Sequence, residues 1–254
     1  MLAVISPAKK LNFDPAPVDV EQSLPEFQPD ANHLSRLAKK LSVSDLRNLM
    51  HISEDLAKLN RQRFLAFAKA SDETNSKQAM LAFAGDTYSG LSAADFNAED
   101  RAYAQEHLRI LSGLYGVLRP LDRIQPYRLE MGSRLANKAG PSLYAYWGNR
   151  IGKALDLAAA GAPVVNLASN EYFKAASKKT MKSPVIETAF KEDNDGELKM
   201  VGFFAKKARG AMARFIVQNR VEMLAGLKEF NHDGYGFRSD LSTEGTLVFT
   251  RKAA

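Results

Sequence analysis

Between Leu198 and Val221 lie six cations and no acid: Lys199, Lys206, Lys207, Arg209, Arg214 and Arg220. Their count matches the formal net charge of the whole chain, +6. With no local acid to cancel its field, such a stretch suits a polyanion. From Phe203 to Ile216 the residues read as an amphipathic helix. On a 3.6-residue wheel, Phe204, Ala208, Ala211, Met212 and Phe215 share one face. Lys207, Gly210 and Arg214 form a stripe beside it, the position of a cleft edge. Lys206, Arg209 and Arg220 point more nearly outward, into a broader field or a solvated face.

A second concentration runs from Leu111 to Gly132. A helix from Asn97 through Leu111, a turn bracketed by Gly113 and Gly116, and a short helix from Val117 would follow the plan of a helix-hairpin-helix element. There the backbone N–H groups of the turn meet DNA phosphates without reading bases, and Arg119, Arg123 and Arg128 fit that task. The turn is Gly-Leu-Tyr-Gly, one residue longer than the usual Gly-hydrophobic-Gly, so an ordinary glycine-punctuated turn is the alternative.

The remaining polar residues fall where strands are expected to end, which is where α/β folds build sites. Ser6 and Lys9 follow the first strand; Asn166, Ser169, Glu171 and Lys174 lie at or after the end of a later one; Asp86 follows a break at Gly85. Lys9, Asp86, Glu130, Glu171 and Lys174 are the candidate catalytic residues. Together with Arg128 and Lys207 they would make a charged pocket for a phosphorylated or nucleotide-like anion, with Glu130 or Glu171 as general acid/base. Structural ion pairs are the competing reading, and whether the chain is an enzyme stays open here.

The elements that must position these groups follow from periodicity. Leu2–Ser6 and 163–168 read as buried strands, and Asn12–Asp30, rich in Pro and acids, as a wrapped loop. Helical periodicity covers 34–50, Ser53 caps a further helix, and 145–160 is helical. Segment 78–83 fits a strand or a short helix. A hairpin joins 184–192 to 197–204 through Asn194-Asp195-Gly196, and a last one joins 234–238 to 246–251. One mixed α/β (α+β) domain with antiparallel hairpins near the C-terminus is the simplest architecture, because strands and helices do not alternate regularly enough for a doubly wound fold.

Composition excludes several classes. The chain has 254 residues, enough for one large domain, with 45% hydrophobic and 25% charged residues, and no cysteine. Disulfides, thiolate metal sites and thiol redox chemistry are therefore out. His33, His51, His107 and His232 are scattered without metal-ligand spacing, so neither metal nor cofactor is expected. No apolar run approaches the ~20 residues that span a bilayer, and the start lacks a signal-peptide pattern, which leads to the expectation of a soluble cytoplasmic protein with no membrane partner. The segment 148–154 has three residues where a phosphate-binding loop needs four, and Ala154 where it needs Ser or Thr. Trp147, with Tyr144, is expected in the core.

The same segments carry a family resemblance. Ser6-Pro-Ala-Lys9, Phe83 to Leu91, Leu111 to Gly132, Leu143 to Gly148, Asn166 to Lys174 and Ala205 to Gly210 span almost the whole chain and resemble the YaaA family of peroxide stress resistance proteins. The resemblance implies a single domain over 1–254 of unusual topology with a helix-hairpin-helix element. It also implies a cytoplasmic protein that protects DNA and protein during hydrogen peroxide stress, with lowered unincorporated iron, and a positive groove that binds DNA. On that basis DNA, duplex or branched and not read by sequence, is the expected partner. A small anionic ligand is the alternative. The DNA- or anion-binding set comprises Gly113, Gly116, Arg119, Arg123, Arg128, Lys206, Lys207, Arg209, Gly210 and Arg214.

Overall fold

The computed structural model describes residues 1–15, 21–176 and 180–253. Part of the expected wrapped loop, 16–20, lies outside the described residues.

Strand β1 (Leu2–Ile5) is apolar throughout and buried at every position, because it is paired on both edges and covered on both faces. It lies between β5 (Leu108–Ser112) and β8 (Val164–Leu167), parallel to both. Beyond β8 come β9 (Val185–Asn194) and β12 (Thr246–Lys252), again parallel, so the parallel strands run β5-β1-β8-β9-β12 across the sheet. Antiparallel strands finish it: β6 (Gly116–Leu118) on β5, β10 (Glu197–Lys199) on β9, and β11 (Gly236–Phe237) on β12. Two short antiparallel ribbons stand apart, β2 (Lys10–Leu11) with β4 (Phe83–Ala84), and β3 (Lys77–Gln78) with β7 (Arg123–Ile124).

The helices are α1 (Gln28–Lys39), α2 (Val43–Met50), α3 (Glu54–Ala66), α4 (Ala79–Ala82), α5 (Asp86–Leu91), α6 (Ala98–His107), α7 (Leu143–Trp147), α8 (Arg150–Ala159), α9 (Asn170–Phe173), α10 (Gly202–Gln218) and α11 (Leu224–Leu227). The expected helix over 34–50 is two helices, because Ser42 starts α2 with a capping box: it accepts from Asp45 N–H while the Asp45 carboxylate accepts from Ser42 N–H. Ser53 and Asn97 cap α3 and α6 as their sequence positions indicate. Both expected hairpins form. The first turns on Asp195-Gly196 with positive φ at both residues, the two-residue geometry that matches strand twist. Its second strand stops at Lys199, and Phe203 and Phe204 belong to α10.

Two expectations change. The spatial order of the parallel strands is that of a flavodoxin-type doubly wound sheet, although helices and strands do not alternate regularly along the chain. The regularity is hidden because residues 6–107, between β1 and β5, hold three of the four ribbon strands, β2, β3 and β4, and six helices. The helix-hairpin-helix element is replaced by a β-hairpin. Helix α6 stops at His107, Leu108 is already extended, 108–110 pair with β1 and 110–112 with β6, and Leu108, Ile110, Leu111 and Ser112 are buried. Sheet pairing overrides the helical periodicity of that short apolar run.

Helix α10 packs across β1, β8 and β9 and crosses α5 at close range. A Cβ on Gly210 would lie 1.7 Å from the Thr87 carbonyl oxygen, and one on Gly90 2.0 Å from that of Lys207. The space Gly210 leaves is thus taken by backbone. Gly210→Ala must force the two backbones apart. We expect it to lower unfolding stability by about 1–3 kcal/mol or more, read by urea denaturation with an unchanged m-value.

Candidate anion-binding cleft

The C-terminal ends of β1 and β8 are the point at which the chain's strand order reverses, and a cleft of about 470 Å³ opens there. Four segments line it: Ser6–Lys10 after β1, Ala84–Thr87 at the start of α5, Leu167–Tyr172 after β8, and Lys206 and Arg209 of α10. Hydrogen bonds fix its floor. Ser169 N–H donates to Ser6 Oγ at 2.8 Å, the two hydroxyls lie 3.3 Å apart, and the buried Tyr88 hydroxyl donates to the Ser6 carbonyl at 3.1 Å. Burial pushes the Tyr88 and Tyr172 hydroxyls well above 10, so both stay neutral.

Charged groups from distant segments meet at this cleft. Lys9 pairs with Glu130 at 3.1 Å, and Arg128 holds the same carboxylate through Nε and Nη2 at 3.1 and 2.8 Å. Glu171 accepts from Gly132 N–H at 2.9 Å. Asp86 faces Lys206 at 3.6 Å. Lys174 stands off the cleft wall, its ammonium 5.2 Å from the centre of the Tyr144 ring, while Tyr144 donates to the Glu171 carbonyl. Lys9, Asp86 and Glu171 therefore line the cleft, Glu130 and Arg128 reach it through Lys9, and Lys174 is not among the lining residues.

Arg209 is the group whose role changes most. It points into the cleft, and its Nε is shut off from solvent with no hydrogen-bond partner among the described residues. Burial alone draws its pKa below the ordinary arginine value, and a guanidinium so placed remains charged. The wheel assigned Arg209 outward, but Ala205, Ala208, Gly210, Ala211, Met212, Ala213, Ile216 and Val217 are all buried, so α10 has no broad solvated face. The cleft is the opening left to it. Lys206, one turn earlier, stands at the mouth and is exposed.

Lys207 and Arg214 do not edge this cleft. Lys207 pairs with Asp233 at 2.8 Å. Arg214 donates to the Leu91 and Ser92 carbonyls, lies 3.5 Å from Asp95 and covers the Phe96 ring. Arg220 pairs with Asp100 at 2.9 Å, and Lys199 with Glu197 at 2.9 Å. The acid-free stretch in sequence is surrounded by acids in space.

The glycine turn is also turned inward. Gly113, Leu114, Tyr115 and Gly116 are buried, and the Ser112 hydroxyl accepts from the N–H groups of Leu114 and Tyr115. Trp147 closes it off by donating to the Gly113 carbonyl at 3.0 Å and lying against Gly116. Those amides do not face solvent. Arg119 is held by Asp122 at 3.0 Å and by the Leu24 carbonyl, and the buried Arg123 by Ser76 and Gln22. Among the described residues no group of three or more His, Asp or Glu side chains could hold a metal ion, and no helix is long and apolar enough to cross a membrane.

Residues 1–241 match the family model described as peroxide stress protein YaaA. The chain belongs to the YaaA peroxide stress protein family. It is 56% identical over 254 residues to a UPF0246 protein of Dinoroseobacter shibae, covering 99% of this chain and 95% of the relative. A UPF0246 protein of Caulobacter vibrioides is 50% identical over 254 residues, covering 99% of both. One from Ruegeria pomeroyi is 53% identical, covering 99% of this chain and 98% of the relative. Every segment of the cleft lies within the matched range.

The Lys207–Asp233 pair makes a pH prediction. The hydrogen bond from Lys207 holds the Asp233 carboxyl below its ordinary 3.8. A depressed carboxyl stabilises the fold above its unfolded pKa and loses that stability as pH falls through its folded value. Both partners are more than a third exposed, so we expect Lys207→Met to cost less than about 1 kcal/mol at pH 7. The gap to wild type should close as pH falls below 3.8, read by urea unfolding across the acid range.

Proposed function

We propose that this chain serves the peroxide stress response by binding the phosphates of nucleic acid, DNA foremost, at the cleft between β1 and β8. Arg209 supports this reading above any other feature. Arg209 lines the cleft, and its Nε has no hydrogen-bond partner among the described residues; a donor left so costs about 1–3 kcal/mol, and a phosphate oxygen in the cleft would supply the acceptor once the side chain turns that edge toward it. A guanidinium fork is matched to phosphate geometry. Lys10, and Lys9 and Lys206, whose side chains are 63% and 59% exposed, would draw the anion to the mouth. The interaction would be electrostatic and tolerant of base sequence. We place the protein in the cytoplasm, and attribute lowered unincorporated iron to the consequences of binding, since the chain has no cysteine and its four histidines are dispersed.

Titration of labelled DNA at several salt concentrations tests the proposal. Log affinity should fall linearly with log salt concentration. Arg209→Gln should weaken binding at least about tenfold, in line with the loss of a charge-assisted hydrogen bond, whereas Lys207→Met should not. Absence of binding, or equal loss in both variants, would reject it.

The carboxylates favour a second reading. Glu171, one oxygen fixed by Gly132 N–H, and Asp86 line the same cleft as Arg209, an arrangement that suits general acid/base chemistry on a nucleotide-like anion. An enzyme would turn over a member of a nucleotide panel, and Glu171→Gln would abolish turnover while retaining binding.

A further inference from the structure

We propose that the cleft selects a phosphomonoester, the terminal phosphate of a DNA strand or of a free nucleotide, over an internal phosphodiester. This deepens the DNA reading above and rests on it.

Depth is the first argument. The cation is half-buried: among the described residues the Arg209 Nε has no hydrogen-bond partner, Arg209 lines the cleft, and the cleft holds about 470 Å³, within the range of small-ligand sites but confined for a continuous strand. An internal phosphodiester carries chain on both sides, so both continuations would have to leave the confined cleft. A terminal phosphate needs only one exit.

Charge is the second argument. The lining carries Lys9, Lys10, Lys206 and Arg209 against Asp86 and Glu171, an excess of two positive charges. A phosphomonoester at pH 7 carries about −1.5 to −2 and presents three acceptor oxygens. A diester carries a single charge and two free oxygens, and would leave part of that excess uncompensated. In the same lining, the Ser6 and Ser169 hydroxyls are hydrogen-bonded to each other, and a hydroxyl pair has one proton to offer an acceptor oxygen. The pattern of a half-buried guanidinium, flanking ammonium groups and hydroxyls is that of a receptor for a compact dianion.

Competition binding tests this. One single-stranded oligonucleotide is prepared with a 5′-phosphate, a 3′-phosphate, or hydroxyls at both ends, alongside the same sequence closed into a circle. Adenosine monophosphate and its 3′,5′-cyclic diester serve as the free-nucleotide arm. We expect a phosphorylated end to bind at least about tenfold more tightly than hydroxyl-ended or circular DNA, the difference of one charge-assisted contact. The preference should fall below pH ~6 as the monoester takes up its second proton, and should vanish in Arg209→Gln. Arg209→Lys, which keeps the charge and loses the fork, serves as a second variant, and a thermal melt verifies that each is folded. Competition by the monophosphate and not the cyclic diester, with no preference among DNA ends, would assign the site to a free nucleotide and still support the monoester. Equal affinity for all DNA forms, with the monophosphate and the cyclic diester competing equally, would overturn this inference and leave DNA binding standing. Failure to bind any DNA would reject the reading beneath it, and the inference too if the protein binds the monophosphate no better than the cyclic diester.

Discussion

The cleft depends on one close approach. At Gly90 and Gly210 the backbones of α5 and α10 come so near that a methyl group on either would overlap a carbonyl oxygen of the other helix. That contact brings the start of α5, with Asp86 and Thr87, against the turn of α10 that carries Lys206 and Arg209. Helix α10 also rests on β1, β8 and β9, and Ser6 and Ser169 tie the ends of β1 and β8 together. The geometry of the site thus comes from a sheet that fixes two strand ends and from a pair of glycines that fix a helix over them.

The electrostatics follow from the same packing. Five of the six cations in the basic window meet acids contributed elsewhere: Glu197, Asp86, Asp233, Asp95 and Asp100. Most of these pairs are partly exposed, so each adds little stability, yet together they remove the open basic face suggested by the linear sequence. Arg209 is the exception, and it is also the member turned inward. What began as a general field for a polyanion becomes one directed donor at the base of a cleft, with Lys9, Lys10 and Lys206 around its mouth.

Much of this was legible beforehand, and the failures have a common origin. Buried strands at 2–6 and 163–168, the caps at Ser53 and Asn97, the Asp195-Gly196 turn and the course of α10 are set by local patterns that survive folding. That Lys9, Asp86 and Glu171 come together in one cleft is legible because polar residues after apolar strands carry a positional signal. The hairpin at 108–118 was not, since Leu108–Ser112 fits either period and only its partner β1 decides. Arg209 was assigned outward because a wheel knows one helix and not the elements packed around it. The partners of Lys207, Arg214 and Arg220 lie in remote segments that no local pattern connects.

On the proposed reading, the half-buried Arg209 is the cation that receives a phosphate. Nitrogen-15 NMR of the arginine Nε–H groups, with the Arg209 resonance assigned by its loss in Arg209→Lys, tests it directly as inorganic phosphate is added. The account requires that resonance to shift saturably with phosphate, while those of Arg119 and Arg220, already held by Asp122 and Asp100, stay in place. An unmoved Arg209 resonance, or shifts shared alike by all three, would contradict it.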